Sequence, residues 1–135
     1  MKKKHAIHNE NACDYLLQSG KFNDWVVTTA FYSAMQYLNY ELFPLEIQDE
    51  QYDNFNIYYD SLCNYQGYTM INNRPSKHQS MINLVHSRLP NCNRFYRWLH
   101  NESSNARYSN YNVSNQMADT AKKYLNYIKS HLDKN

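Results

Sequence analysis

The stretch RFYRWLHNESSNARYSNY, Arg94 to Tyr111, holds residue types that can break a phosphodiester bond. An imidazole titrating near pH ~6.5 can take the 2′-hydroxyl proton of RNA or protonate the leaving oxygen. A guanidinium beside it stabilises charge on a phosphorane-like transition state. His100 is the imidazole, and Arg94, Arg97 and Arg107 are the available guanidinium groups. The alternative is a partly exposed histidine and solvated arginines that set helix contacts.

On a helix of about 100° per residue, Cys92, Phe95, Leu99, Ser103 and Ala106 share a core-facing side. His100, Ser104, Arg107 and Tyr111 form a second stripe along about 16 Å, provided the helix stays regular to Tyr111. Arg97 lies one turn before His100 and roughly 60° around the axis, within reach of one shared phosphate. Arg94 is about 120° away and roughly 9 Å along, so Arg97 or Arg107 is the easier partner on the wheel. Ser104, Arg107, Arg97 and Tyr111 are thus candidates to hold flanking phosphates or bases.

Other candidates are weaker. His5 and His8 with Glu10 could ligate a metal, but this segment is expected to fray and its spacing is not that of a rigid pair. No metal site and no cofactor are therefore expected. His78 follows Arg74 and Lys77 near a helix start, where capping or packing is the usual role. Ser103 and Ser104 lack an acid–base partner for nucleophilic work. Tyr32, Tyr96, Tyr108 and Tyr111 could stack on bases, although packing is the commoner role for each.

These groups must be positioned by helices. The 135-residue chain has two glycines and three prolines, too few turn residues for a sandwich or barrel. Periodicity predicts helices over 9–19, 24–42, 77–88, 92–108 and 115–132, with no sheet. In the second, Val27, Ala30, Phe31, Ala34, Leu38 and Leu42 form the apolar stripe, with Asn23 or Asp24 as cap. Its small residues, Thr28, Thr29, Ala30, Ser33 and Ala34, admit a close neighbour. Pro90 is expected to close the third core helix. The connection 44–75 is too long for a bare loop, so a short acidic helix is placed near 49–64, stopped around Gly67. The expected architecture is all-α: an up-down four-helix bundle with one short inserted helix, in a single domain over 1–135.

Charge is unevenly spread. Between Phe22 and Asn73 there are seven acids and no Lys or Arg, whereas Arg74 to Arg107 carries six basic residues and Glu102. A basic side of this kind attracts phosphates or an acidic partner. Cys13, Cys63 and Cys92 are too scattered for a metal motif and fit free thiols in a reducing cytosol. No apolar stretch is long enough to span a bilayer. A cytoplasmic protein is expected.

The run NACDYLLQSGKFNDWVVTTAFYSAMQYLNYELF resembles the first two helices of a HEPN domain, with Phe31 to Met35 standing for its aromatic centre. KHQSMINLV, from Lys77, resembles the opening of that family's third helix, and SSNARYSNY its R–Y ending before a closing helix. The resemblance covers most of the chain outside 45–74. It implies a helical bundle that usually homodimerises. It also implies an Arg-x4-6-His pair at the dimer cleft of a metal-independent endoribonuclease, with Arg94 and His100 as the catalytic residues. Such proteins serve in toxin–antitoxin and defence systems. Other members are non-catalytic RNA-binding or interaction modules. In that alternative the partner is a protein such as a nucleotidyltransferase-type antitoxin. Phe95 after the arginine and the Ala106-Arg107-Tyr108 motif depart from the catalytic form.

Overall fold

The computed structural model describes residues 2–65 and 74–132. Six helices and one hairpin make up these residues: α1 (Lys2–Ser19), α2 (Asn23–Leu42), β1 (Leu45–Ile47), β2 (Glu50–Tyr52), α3 (Phe55–Tyr65), α4 (Lys77–Arg88), α5 (Pro90–Tyr108) and α6 (Asn115–Leu132). Gly67, the expected stop of the inserted helix, lies outside the described residues.

The centre of the bundle is α2, which packs against α1, α5 and α6. Its predicted stripe is buried throughout, together with Val26, Ser33 and Tyr37. The small residues act as expected. Ser33 is fully buried, and its hydroxyl donates to the Ala6 carbonyl of α1 at 2.8 Å, a contact that a longer side chain would prevent. Gly20, at φ 68°, makes the left-handed turn between α1 and α2 that a β-carbon would disfavour.

Several expectations are corrected. The first helix begins at Lys2 rather than near residue 9, so the His5–Glu10 segment is ordered helix. Asn23 does not cap α2: Phe22 precedes the helix, and the Asn23 amide donates instead to Val113 O and Asn115 Oδ1, tying α2 to the start of α6. Pro90 opens α5 instead of closing α4, because its missing N–H costs nothing in a first turn. The insert is not all helix. An antiparallel hairpin pairs Leu45 with Tyr52 and Ile47 with Glu50, through a turn in which Gln48 and Asp49 both take positive φ. The Asn54 side chain then caps α3, accepting from Ile57 N at 2.9 Å.

Caps at Ser76 and Ser114 hold α4 and α6, accepting from Gln79 N and Met117 N. The stripe of α6 buries Ala118, Ala121, Leu125 and Ile128 against α2 and α5.

The joint between α1, α2 and α6 is polar. Glu10 accepts from Tyr37 Oη at 2.7 Å, Lys129 Nζ at 2.9 Å and Lys122 Nζ at 3.1 Å, and Lys122 also bridges Asp14 at 2.8 Å. Burial alone would raise the Glu10 carboxyl. The bonds from Lys129, Tyr37 and Lys122, with the Lys122 charge, outweigh that and hold it below its usual value. A carboxyl depressed in the folded state contributes stability above its unfolded value near 4.3 and loses it as pH falls through the lower folded one. Glu10→Gln should therefore destabilise by about 1–3 kcal/mol near neutrality, because Lys129 loses its counterion and Lys122 keeps only Asp14. Urea unfolding should show that difference at about pH 6 and a much smaller one at about pH 3.

Candidate functional site

Residues from α2, α4 and α5 converge on one side of the bundle. The His78 and His100 rings face each other with centroids 5.2 Å apart. Both rest on Phe31, at 5.6 and 5.5 Å. Phe31 is fully buried and stacks on Tyr96 at 5.7 Å with 21° between planes, so the platform beneath the imidazoles is rigid core.

Arg107 completes the group. Its Nη1 donates to Tyr32 Oη at 2.7 Å and its Nε to the Ser103 carbonyl at 3.3 Å. The guanidinium lies 5.4 Å from the centre of the Tyr32 ring and 5.1 Å from that of Tyr108. Its remaining N–H groups are donors for an anion.

Burial, the nearby His100 and the Arg107 charge all push the His78 imidazole below the usual histidine value, which favours its neutral form. His100 Nδ1 lies 3.2 Å from Asn101 Oδ1, a hydrogen bond in the tautomer with the proton on Nδ1, which leaves Nε2 for other work. Two half-buried imidazoles and a guanidinium supply a proton acceptor, a proton donor and a charge stabiliser within one small region.

Of the residues singled out from sequence, the fold brings together His100 and Arg107. It places Arg94 elsewhere. The Arg94 guanidinium sits 4.9 Å from the centre of the Phe95 ring, and Phe95 packs on Tyr124 and Tyr127 of α6, whereas His100 faces α2 and α4. The two thus occupy different flanks of α5, as the wheel implied. Arg97 is exposed, and Ser104 is half-buried one turn after His100. Tyr111 falls past the end of α5, is 72% exposed and leaves the stripe expected of it.

Tyr96, not Phe95, is the fully buried aromatic of α5. It is therefore closed to base stacking, and burial pushes its hydroxyl well up. The His5, His8 and Glu10 cluster is dispersed: both histidines are exposed, and Glu10 is held by lysines. Among the described residues no three His, Cys, Asp or Glu side chains converge to hold a metal ion. The three cysteines are free and buried.

Sequence reasoning gives His78 a capping or packing role and Tyr32 a packing or base-stacking one, and places neither beside His100. His78 lies 22 positions before His100 on another helix, a separation without periodic signal. The one available cue was the Phe31-Tyr32 pair in the middle of the most apolar helix.

No protein-family model matches this chain, and no curated protein or solved structure matches it.

Proposed function

We propose that the chain is a HEPN-like, RNA-directed four-helix bundle with an insert, acting as a metal-independent endoribonuclease whose working groups are His78, His100 and Arg107. The observation that carries this reading is the pair of imidazoles facing each other at 5.2 Å beside a guanidinium.

In the proposed reaction the 2′-oxygen of one ribose attacks the adjacent phosphorus and its proton passes to His78. The bond from phosphorus to the 5′-oxygen breaks, and that oxygen takes a proton from His100. Arg107 stabilises the charge on the equatorial oxygens. The exposed Arg94 and Arg97 contribute as phosphate contacts on the flanks.

The test compares two arginines on one RNA. Arg107→Ala should reduce cleavage by at least 10²-fold, as loss of a transition-state donor does. Arg94→Ala should leave turnover nearly intact while weakening RNA binding and flattening its salt dependence by about one counterion. The reverse order, with Arg94 the critical one, would return the site to the Arg94–His100 spacing and contradict this trio.

A second reading is favoured by one observation. Arg107 is already engaged by Tyr32, Ser103 and Tyr108, as an arginine that only braces helices would be. On that reading the bundle is a non-catalytic interaction module that binds a partner protein through its aromatic faces, and wild type is inert on RNA.

A further inference from the structure

A cleft of about 390 Å³ opens on the α3 side of His78, between α1, α2, α3 and α4. That volume lies in the range of small-ligand pockets, roughly 300–1,000 Å³. His78 lines it and also faces His100, so the cleft and the imidazole pair share a wall.

Its lining is of two kinds. Met35, Met81 and Phe55 supply apolar surface, with the Phe55 ring half-exposed. Between them stand amides with unused groups. The Asn39 Nδ2 donates to the Met35 carbonyl, while its Oδ1 is buried without a partner. Asn54 spends its oxygen on the Ile57 N–H, and Asn56 spends its own on Lys77 Nζ at 3.3 Å, which leaves both NH2 groups as donors. Lys77 adds positive charge at the same wall.

A flat ligand with apolar faces, acceptors along its edge and an attached phosphate matches this set. Single-stranded RNA offers such a unit in each unpaired nucleotide, whose base is read on its edge and packed on its faces. We infer that the cleft is a base-binding subsite that takes one unpaired ribonucleotide adjoining the phosphate at His78 and His100. The inference rests on the RNA-directed reading and gives it a substrate preference. Cleavage should occur beside the base that the cleft accepts.

The test is calorimetric titration of the full chain with the four ribonucleoside 3′-monophosphates, with inorganic phosphate as control. One or two of the bases should bind at least tenfold more tightly than phosphate alone. Asn56→Ala, at an exposed position, should weaken that binding roughly threefold to tenfold, the usual worth of a hydrogen bond. Met35→Trp, which fills the cleft, should abolish the discrimination between bases. His100→Ala should lower turnover by about 10²–10⁴-fold and weaken all four nucleotides alike, leaving their order of preference unchanged. Four nucleotides that bind no better than phosphate would overturn the inference. So would discrimination that survives both cleft substitutions. Base-selective binding without turnover would retain the subsite and sink the nuclease. Turnover whose base preference ignores Asn56→Ala and Met35→Trp would retain the nuclease and sink the subsite.

Discussion

If the proposed nuclease reading holds, His100→Ala should lower the rate of RNA cleavage by about 10²–10⁴-fold, the usual contribution of a positioned acid or base, and His78→Ala should lower it comparably. Because both groups act in one proton transfer sequence, the double substitution should cost little more than the worse single one. Far-ultraviolet circular dichroism should be unchanged in each variant, since both rings are only half-buried at the end of the Phe31 platform. The pH profile distinguishes reacting groups from braces. His78 must be neutral to accept a proton, and burial with the nearby His100 and Arg107 charge depresses its value. The acid limb of kcat/KM should therefore fall below the ordinary histidine value of about 6.5. Arg107→Gln removes one of the depressing charges and should move that limb upward. A limb that stays in place would mean that another group sets it.

Phe31→Ala should destabilise the fold by about 3–5 kcal/mol, the range for deleting a buried aromatic. The ring is fully buried, stacks on Tyr96 and supports Tyr32, His78 and His100. The cavity would open in the middle of α2, where α5 closes against it, so neighbouring side chains have little freedom to fill it. Urea unfolding measures the loss. Phe31→Leu should be milder in stability yet still slow cleavage, because the branched chain no longer sets the planes of both imidazoles. That separation of stability from rate marks Phe31 as a positioning residue.

Much of the frame was legible because its signals are local. Ser76 and Ser114 cap where a hydroxyl before an apolar run predicts, and the bounds of α4 and α6 follow. The stripe of α2 needed only a period of 3.6 residues. The hairpin was not legible for a physical reason: its turn places Gln48 and Asp49 at positive φ without the glycine or asparagine that usually announces this. Tyr96 takes the packing role that is the commoner one for such a tyrosine, its ring filling the space over Phe31, although the wheel puts Phe95 on the core side. The candidate site was half legible. The helical wheel separates Arg94 from His100 and brings Arg107 along, since both inferences use one helix. His78 and Tyr32 come from other helices, and only tertiary packing places them there.

The central claim is that cleavage proceeds by attack of the neighbouring 2′-hydroxyl, with proton transfer by two imidazoles and no metal. Incubation of an end-labelled single-stranded RNA with the protein in excess EDTA, followed by analysis of the new 3′ end, tests this most directly. Cleavage should persist in EDTA, leave a 2′,3′-cyclic phosphate or 3′-phosphate on the 5′ fragment, and fail when the ribose at the cut carries a 2′-O-methyl group. A 3′-hydroxyl end, activity abolished by EDTA, or RNA left intact by the wild type as by His100→Ala would contradict it.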